Sequence, residues 1–163
     1  MRNLAIIVCS TAFLLGACAE PDDDGDGVVR DIEDATEQGL NDFLDARGFE
    51  DWTSEPEPRD PILGSPHGLV RTYFGPQLEE SLNDFDGQHP VGAAAVKEVY
   101  SDPDTRSHYF VYVRDREGTI DEGYTWFRQG GQGDLYIESG GFCADCHANT
   151  DGNIDGTLTP YPP

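Results

Sequence analysis

Hydrophobic and polar positions fall into two regimes along this chain. Within 28–47, Ile32, Ala35, Leu40, Phe43 and Leu44 recur at an approximately helical spacing, broken by Gly39 and ended near Gly48. That stripe predicts one helix over 28–47, the only convincing one in the sequence. Pro56, Pro58 and Pro61 exclude helix and central strand from 55–61, which reads as an extended connector. Beyond it, the stretches 69–74, 93–100, 108–114 and 124–129 are short, rich in β-branched or aromatic residues, and separated by Gly and Asp-Pro turn signals. In Tyr109-Phe110-Val111-Tyr112-Val113 both faces are apolar, as expected of a strand buried on both sides. The expected class is mainly β, of the α+β kind: a small antiparallel sheet with one N-terminal helix packed on it.

The start of the chain does not belong to that domain. Met1-Arg2-Asn3 is a short basic opening and 4–15 is an apolar run, too short for a confident membrane span. Leu15-Gly16-Ala17-Cys18 looks like a bacterial lipoprotein cleavage site, with Cys18 as the lipidated first residue; a simple secretory signal is the alternative. Both place the protein outside the cytoplasm. Ala19, where an Asp would signal retention, resembles the pattern for release to the outer membrane. The chain thus divides into a lipoprotein signal peptide at 1–17, an acidic tether at 18–27 and a folded domain at 28–163.

Charge adds a further limit. With 32 acidic against 10 basic residues and a formal net charge of −22, a phosphate-binding surface, and so a nucleic-acid partner, is excluded as the main function. Within the tether, Asp22, Asp24, Asp26, Gly27 and Glu33 match the spacing of a calcium loop. Too few residues precede them for the flanking helix of an EF-hand, so a solvated spacer is the competing reading. Asp151, Asn153, Asp155 and Gly156 repeat the opening of that pattern, but Pro162 occupies its closing position, which points to turn chemistry.

Cys143-Ala144-Asp145-Cys146-His147 changes the picture most. Cys-x-x-Cys-His is the spacing of a c-type haem attachment site: two thioethers to one porphyrin edge, and the next imidazole, His147, on the iron. A redox dithiol, half a zinc site and a disulfide are the alternatives. Zinc would need a second ligand pair, and no other thiol follows the leader. The only methionine, Met1, leaves with the leader, so no thioether remains to bind the iron from the other side. His67, His89, His108 and Lys97 are the other candidates; only His108 opens a strand, while His67 and His89 lie beside Pro66 and Pro90. The simplest state is five-coordinate iron under an apolar pocket. Phe74, Tyr109, Phe110, Tyr112, Trp126 and Phe127 could line it, or could be ordinary sheet core. An open iron position favours small-ligand binding or redox catalysis over simple electron transport. An acidic surface could steer a positively faced redox partner, or could merely keep the protein soluble.

These features resemble the cytochrome P-460 and cytochrome c′-beta family. The similarity runs from about Trp52 to the haem motif. It includes His67-Gly68 before the first strand, His89-Pro90-Val91-Gly92-Ala93 leading into Val96-Lys97-Glu98, the Tyr109 strand, Trp126 and Cys143-Ala144-Asp145-Cys146-His147. The resemblance implies a mostly antiparallel β fold, commonly dimeric, with one covalent five-coordinate haem per chain. Members either oxidise hydroxylamine or bind nitric oxide and carbon monoxide. In the hydroxylamine-oxidising branch a lysine is also joined to the porphyrin. Lys97, the only lysine here, stands in a similar place and is implied as a haem-binding and catalytic residue; a pairing with Glu98 or another acid is the alternative. Tyr161 is a weak counterpart of an aromatic segment that follows the haem in the family. The expectation is a lipid-anchored haem protein on the periplasmic side of the envelope, acting on a small nitrogen species. The alternative is a non-catalytic electron carrier or gas-binding protein.

Overall fold

The computed structural model describes residues 28–61, 67–150 and 153–157. The leader, Cys18, the tether with Asp22, Asp24, Asp26 and Gly27, and likewise Asp151, Tyr161 and Pro162, lie outside these. Helix α1 spans Glu37–Asp45, followed by strands β1 (Thr53–Ser54) and β2 (Leu69–Phe74) and helix α2 (Pro76–Asn83). Strands β3 (Ala94–Asp102) and β4 (Thr105–Arg114) come next, then helix α3 (Ile120–Gly123), strands β5 (Tyr124–Gly130) and β6 (Leu135–Ile137), and helix α4 (Gly141–Asn149). The six strands pair antiparallel in sequence order, each with the next. The domain is a small α+β fold, and all four strand stretches expected from alternation and turn signals are present.

The N-terminal helix is shorter than the expected 28–47. Thr36 caps it, its side chain accepting from Gly39 N at 3.1 Å, so 28–36 stays out of the helix. That segment has another task. Asp31 accepts N–H bonds from Gln77 (2.7 Å), Leu78 (3.3 Å) and Ala94 (2.8 Å). It thereby caps α2, whose own N-cap, Gly75, has no side chain to do so. A Cβ on Gly75 would run into the Asp31 carboxylate, so the glycine is required by close approach. Helices α2, α3 and α4 are additions to the single helix expected.

Alternation along the strands sorts side chains to two faces. On one, Ala94, Val96, Tyr109, Val111 and Val113 pack with Leu40, Leu44 and Phe49 from α1 and the turn after it. On the other, Ala95, Tyr112, Tyr124 and Trp126 meet Phe74, Leu78 of α2 and Ala144 of α4. Strand β4 is thus covered on both faces, as its sequence predicts. The second of these layers holds α4 against the sheet, on the face where the site lies.

Candidate functional site

Gly140 (φ 63°) turns the chain from β6 into α4. On that helix Cys143, Cys146 and His147 stand at i, i+3 and i+4 and share one stripe, while Ala144 packs into the sheet. Asn149 Nδ2 and Thr150 Oγ1 donate to the carbonyls of Asp145 and Cys146, both at 2.7 Å, and close the final turn. The stripe faces a cavity of about 360 Å³, within the range of cofactor sites. Opposite stand Thr72 of β2, Lys97 of β3, Phe110 and Tyr112 of β4 and Trp126 of β5. Phe142 and Leu135 also line it and are 71% and 40% exposed, so the cavity opens to solvent beside the thiols.

His147 is held tightly. Its Nδ1–H donates to the Gly156 carbonyl at 2.5 Å, and the Trp126 ring lies 4.7 Å from it, centroid to centroid. A carbonyl can only accept, so the proton sits on Nδ1 and the lone pair on Nε2. Burial lowers the pKa of His147 to about 4, with Lys97 adding to the fall and the Gly156 bond opposing it. The imidazole is neutral at pH 7, as a metal ligand must be. Cys143 and Cys146 are free, half-buried thiols, and burial, then the neighbouring Cys146, raises the pKa of Cys143.

Lys97 reaches the same cavity from the sheet. Burial lowers its pKa to about 8; Arg59 lowers it further, and Glu55 and Cys146 oppose. Glu55, itself buried, pairs with Arg59 and accepts from Thr72 N at 2.7 Å, so it stays engaged beside the lysine. His67, packed edge-on against Phe110, also lines the cavity, and burial, with Lys97, His147 and His108, lowers its pKa to about 3. His108 lines it too, with Nδ1 2.7 Å from Ser107 Oγ. His89 does not. It is enclosed between Ser81 Oγ, 2.9 Å from Nδ1, and the Ile154 carbonyl, 3.1 Å from Nε2.

Of the six aromatic residues proposed for the pocket, Phe110, Tyr112, Trp126 and Phe127 line it. Phe74 is core beside α2, and Tyr109 faces α1, its ring 5.5 Å from Phe49. Both were displaced by strand register: Tyr109 alternates with Phe110, and Phe74 ends its strand against α2. Sequence reasoning missed Phe142, Leu135, Thr157 and Asp155. Only Asp155-Gly156 carried a signal, as a turn, and the Asp155 carboxylate is engaged with Arg114 at 2.7 Å.

The donor set fits a haem attached through Cys143 and Cys146: two thiols one helical turn apart, a neutral imidazole next to the second, and one largely apolar cavity in front of all three. Among the described residues no three His, Cys, Asp or Glu side chains are grouped to hold a bare metal ion. No helix among them is long and apolar enough to cross a membrane. Compared with protein-family models, curated proteins and solved structures, the chain matches none.

Proposed function

We propose that this protein is an exported, lipid-anchored c-type cytochrome whose single covalent haem binds or oxidises a small nitrogen ligand, hydroxylamine or nitric oxide. The observation that carries the reading is the shared stripe of Cys143, Cys146 and His147 facing one apolar cavity. Cys143 and Cys146 would hold the haem as thioethers, each thiol adding across one vinyl group with no leaving group. His147 would bind the iron through Nε2 while the Gly156 carbonyl holds Nδ1. When bound, the haem would supply one-electron chemistry and an iron able to take a small ligand. Thr72, Lys97 and Phe110 stand across the cavity from the two thiols. Lys97 is the side chain that would approach the porphyrin, and with His67 and His108 it lines the cavity as a group able to handle protons. The similarity to the cytochrome P-460 and cytochrome c′-beta family belongs to this proposal, as do lipid on Cys18, the periplasmic location, a basic redox partner and a homodimer.

The second reading, reversible gas binding without turnover, is favoured by the apolar lining. Spectra of the haem-loaded full chain separate the two. The ferrous protein is expected to be high-spin and to bind carbon monoxide directly; a low-spin, six-coordinate spectrum beforehand overturns the open position. Reduction of the ferric band by hydroxylamine selects oxidation, and a shift without reduction selects binding.

A further inference from the structure

Asp155 sits in the turn after α4 with φ 41°, a left-handed conformation that Asp adopts more readily than most residues and that its surroundings here hold in place. Three neighbours from distant parts of the chain do so. Arg114 Nη1 donates to Oδ2 at 2.7 Å, Tyr124 O–H donates to Oδ2 (3.0 Å) and to the backbone carbonyl (2.8 Å), and the His89 backbone N–H donates to Oδ2 at 2.7 Å. The Arg114 side chain is 1% exposed and that of Asp155 7%. An ion pair so enclosed is weak grounds for stability by itself, because desolvation offsets most of its attraction. Its position in the chain gives it another role. The next residue, Gly156 (φ 88°), presents the carbonyl that accepts from His147 Nδ1. Beyond that, Thr157 Oγ1 is 2.5 Å from Tyr112 Oη and 3.1 Å from His89 Nε2. The carbonyl is therefore suspended between two anchored residues.

We propose that Asp155 is a positioning residue for His147. Clamped by Arg114 and Tyr124, it holds the Gly156 carbonyl on Nδ1, which fixes the tautomer and orientation of the imidazole and raises the donor strength of Nε2. This inference rests on the haem reading above. Its support is the chain of contacts Arg114–Asp155–Gly156–His147, which joins β4 to the stripe of α4.

Asp155→Asn and Tyr124→Phe, made in the haem-loaded full chain, test it through two readouts other than activity. Weakening the carbonyl contact is expected to move the ferrous iron–histidine stretching band to lower frequency and to raise the reduction potential. Asp31→Asn, which loosens the cap of α2 instead, leaves both in place. A band and potential unmoved in Tyr124→Phe overturn the proposal, even if Asp155→Asn fails to fold. A chain that takes up no haem contradicts the functional reading, not this one. The nitrogen-15 spectrum of His147 in the haem-free chain then decides: a single Nδ1–H tautomer that becomes a mixture in Tyr124→Phe supports the role, and an unaltered tautomer removes it.

Discussion

His147 and His89 are both enclosed imidazoles, and their partners give them opposite assignments. His147 has one nitrogen on a carbonyl and the other toward a cavity, whereas both nitrogens of His89 are used within the protein. His89 is a strut between α2 and the 153–157 turn. Burial lowers its pKa below the ordinary 6.5, so the unfolded chain takes up this proton first as pH falls. The stability His89 contributes is present above pH 6.5 and is lost below it, at about 1.4 kcal/mol per pH unit down to the folded value. Burial lowers His67 and His147 as well, so urea unfolding of the haem-free chain between pH 6.5 and 5 is expected to show a loss to which all three contribute, and His89→Gln to reduce its slope without abolishing it. An unchanged slope in the variant assigns the loss elsewhere. Lys97→Arg keeps the positive charge in the cavity but not the primary amine. It is expected to shift the ferrous absorption band of the loaded protein to shorter wavelength, and an unmoved band means that the amine makes no bond to the ring. The haem-motif residues were legible because their relation is local, three and four positions along one helix. Asp155 was not, because its partners Arg114 and Tyr124 are 41 and 31 positions away.

Four of the six strands announced themselves, whereas β1, β6 and the short helices did not. Leu69–Phe74 and Tyr124–Gly130 are dense in β-branched or aromatic residues between turn signals, a pattern that survives without knowing the neighbours. Helix α2 has eight residues, with Pro76 at its start and Leu78 and Leu82 four apart. These are helix signals, yet its cap comes from Asp31, 46 positions before Gln77. The same contact explains why the expected helix over 28–47 begins only at Glu37: an extended 28–36 is what brings the carboxylate to α2 and β3. Asp31→Ala leaves three backbone N–H groups without their acceptor and is expected to destabilise the fold by about 2 kcal/mol. Urea unfolding measures it, and a loss under about 0.5 kcal/mol would mean that water replaces the cap. Gly75→Ala forces the same contact open and is expected to act in the same direction.

Across the whole molecule, the sheet separates a structural face from a chemical one. Helix α1 closes the first, and Glu98 on that side is enclosed with Tyr73 and Tyr100, whose hydroxyls donate to Oε2 at 3.0 and 2.6 Å. Lys97, one residue earlier, points the other way into the cavity, so the Lys97–Glu98 pairing considered from sequence is replaced by a division between faces. Helix α4 closes the chemical face and leaves an opening at Phe142 and Leu135. The full chain carries a formal net charge of −22, and any electrostatic attraction this gives toward a basic surface weakens as salt rises. All of this turns on the two thiols of α4 holding a porphyrin. The most direct measurement is the intact mass of the full chain matured in a cell competent for haem attachment, read together with its absorption spectrum. The account predicts the mass of the processed chain plus one haem, lost when Cys143 and Cys146 are both replaced by Ala; a colourless protein of polypeptide mass alone would contradict it.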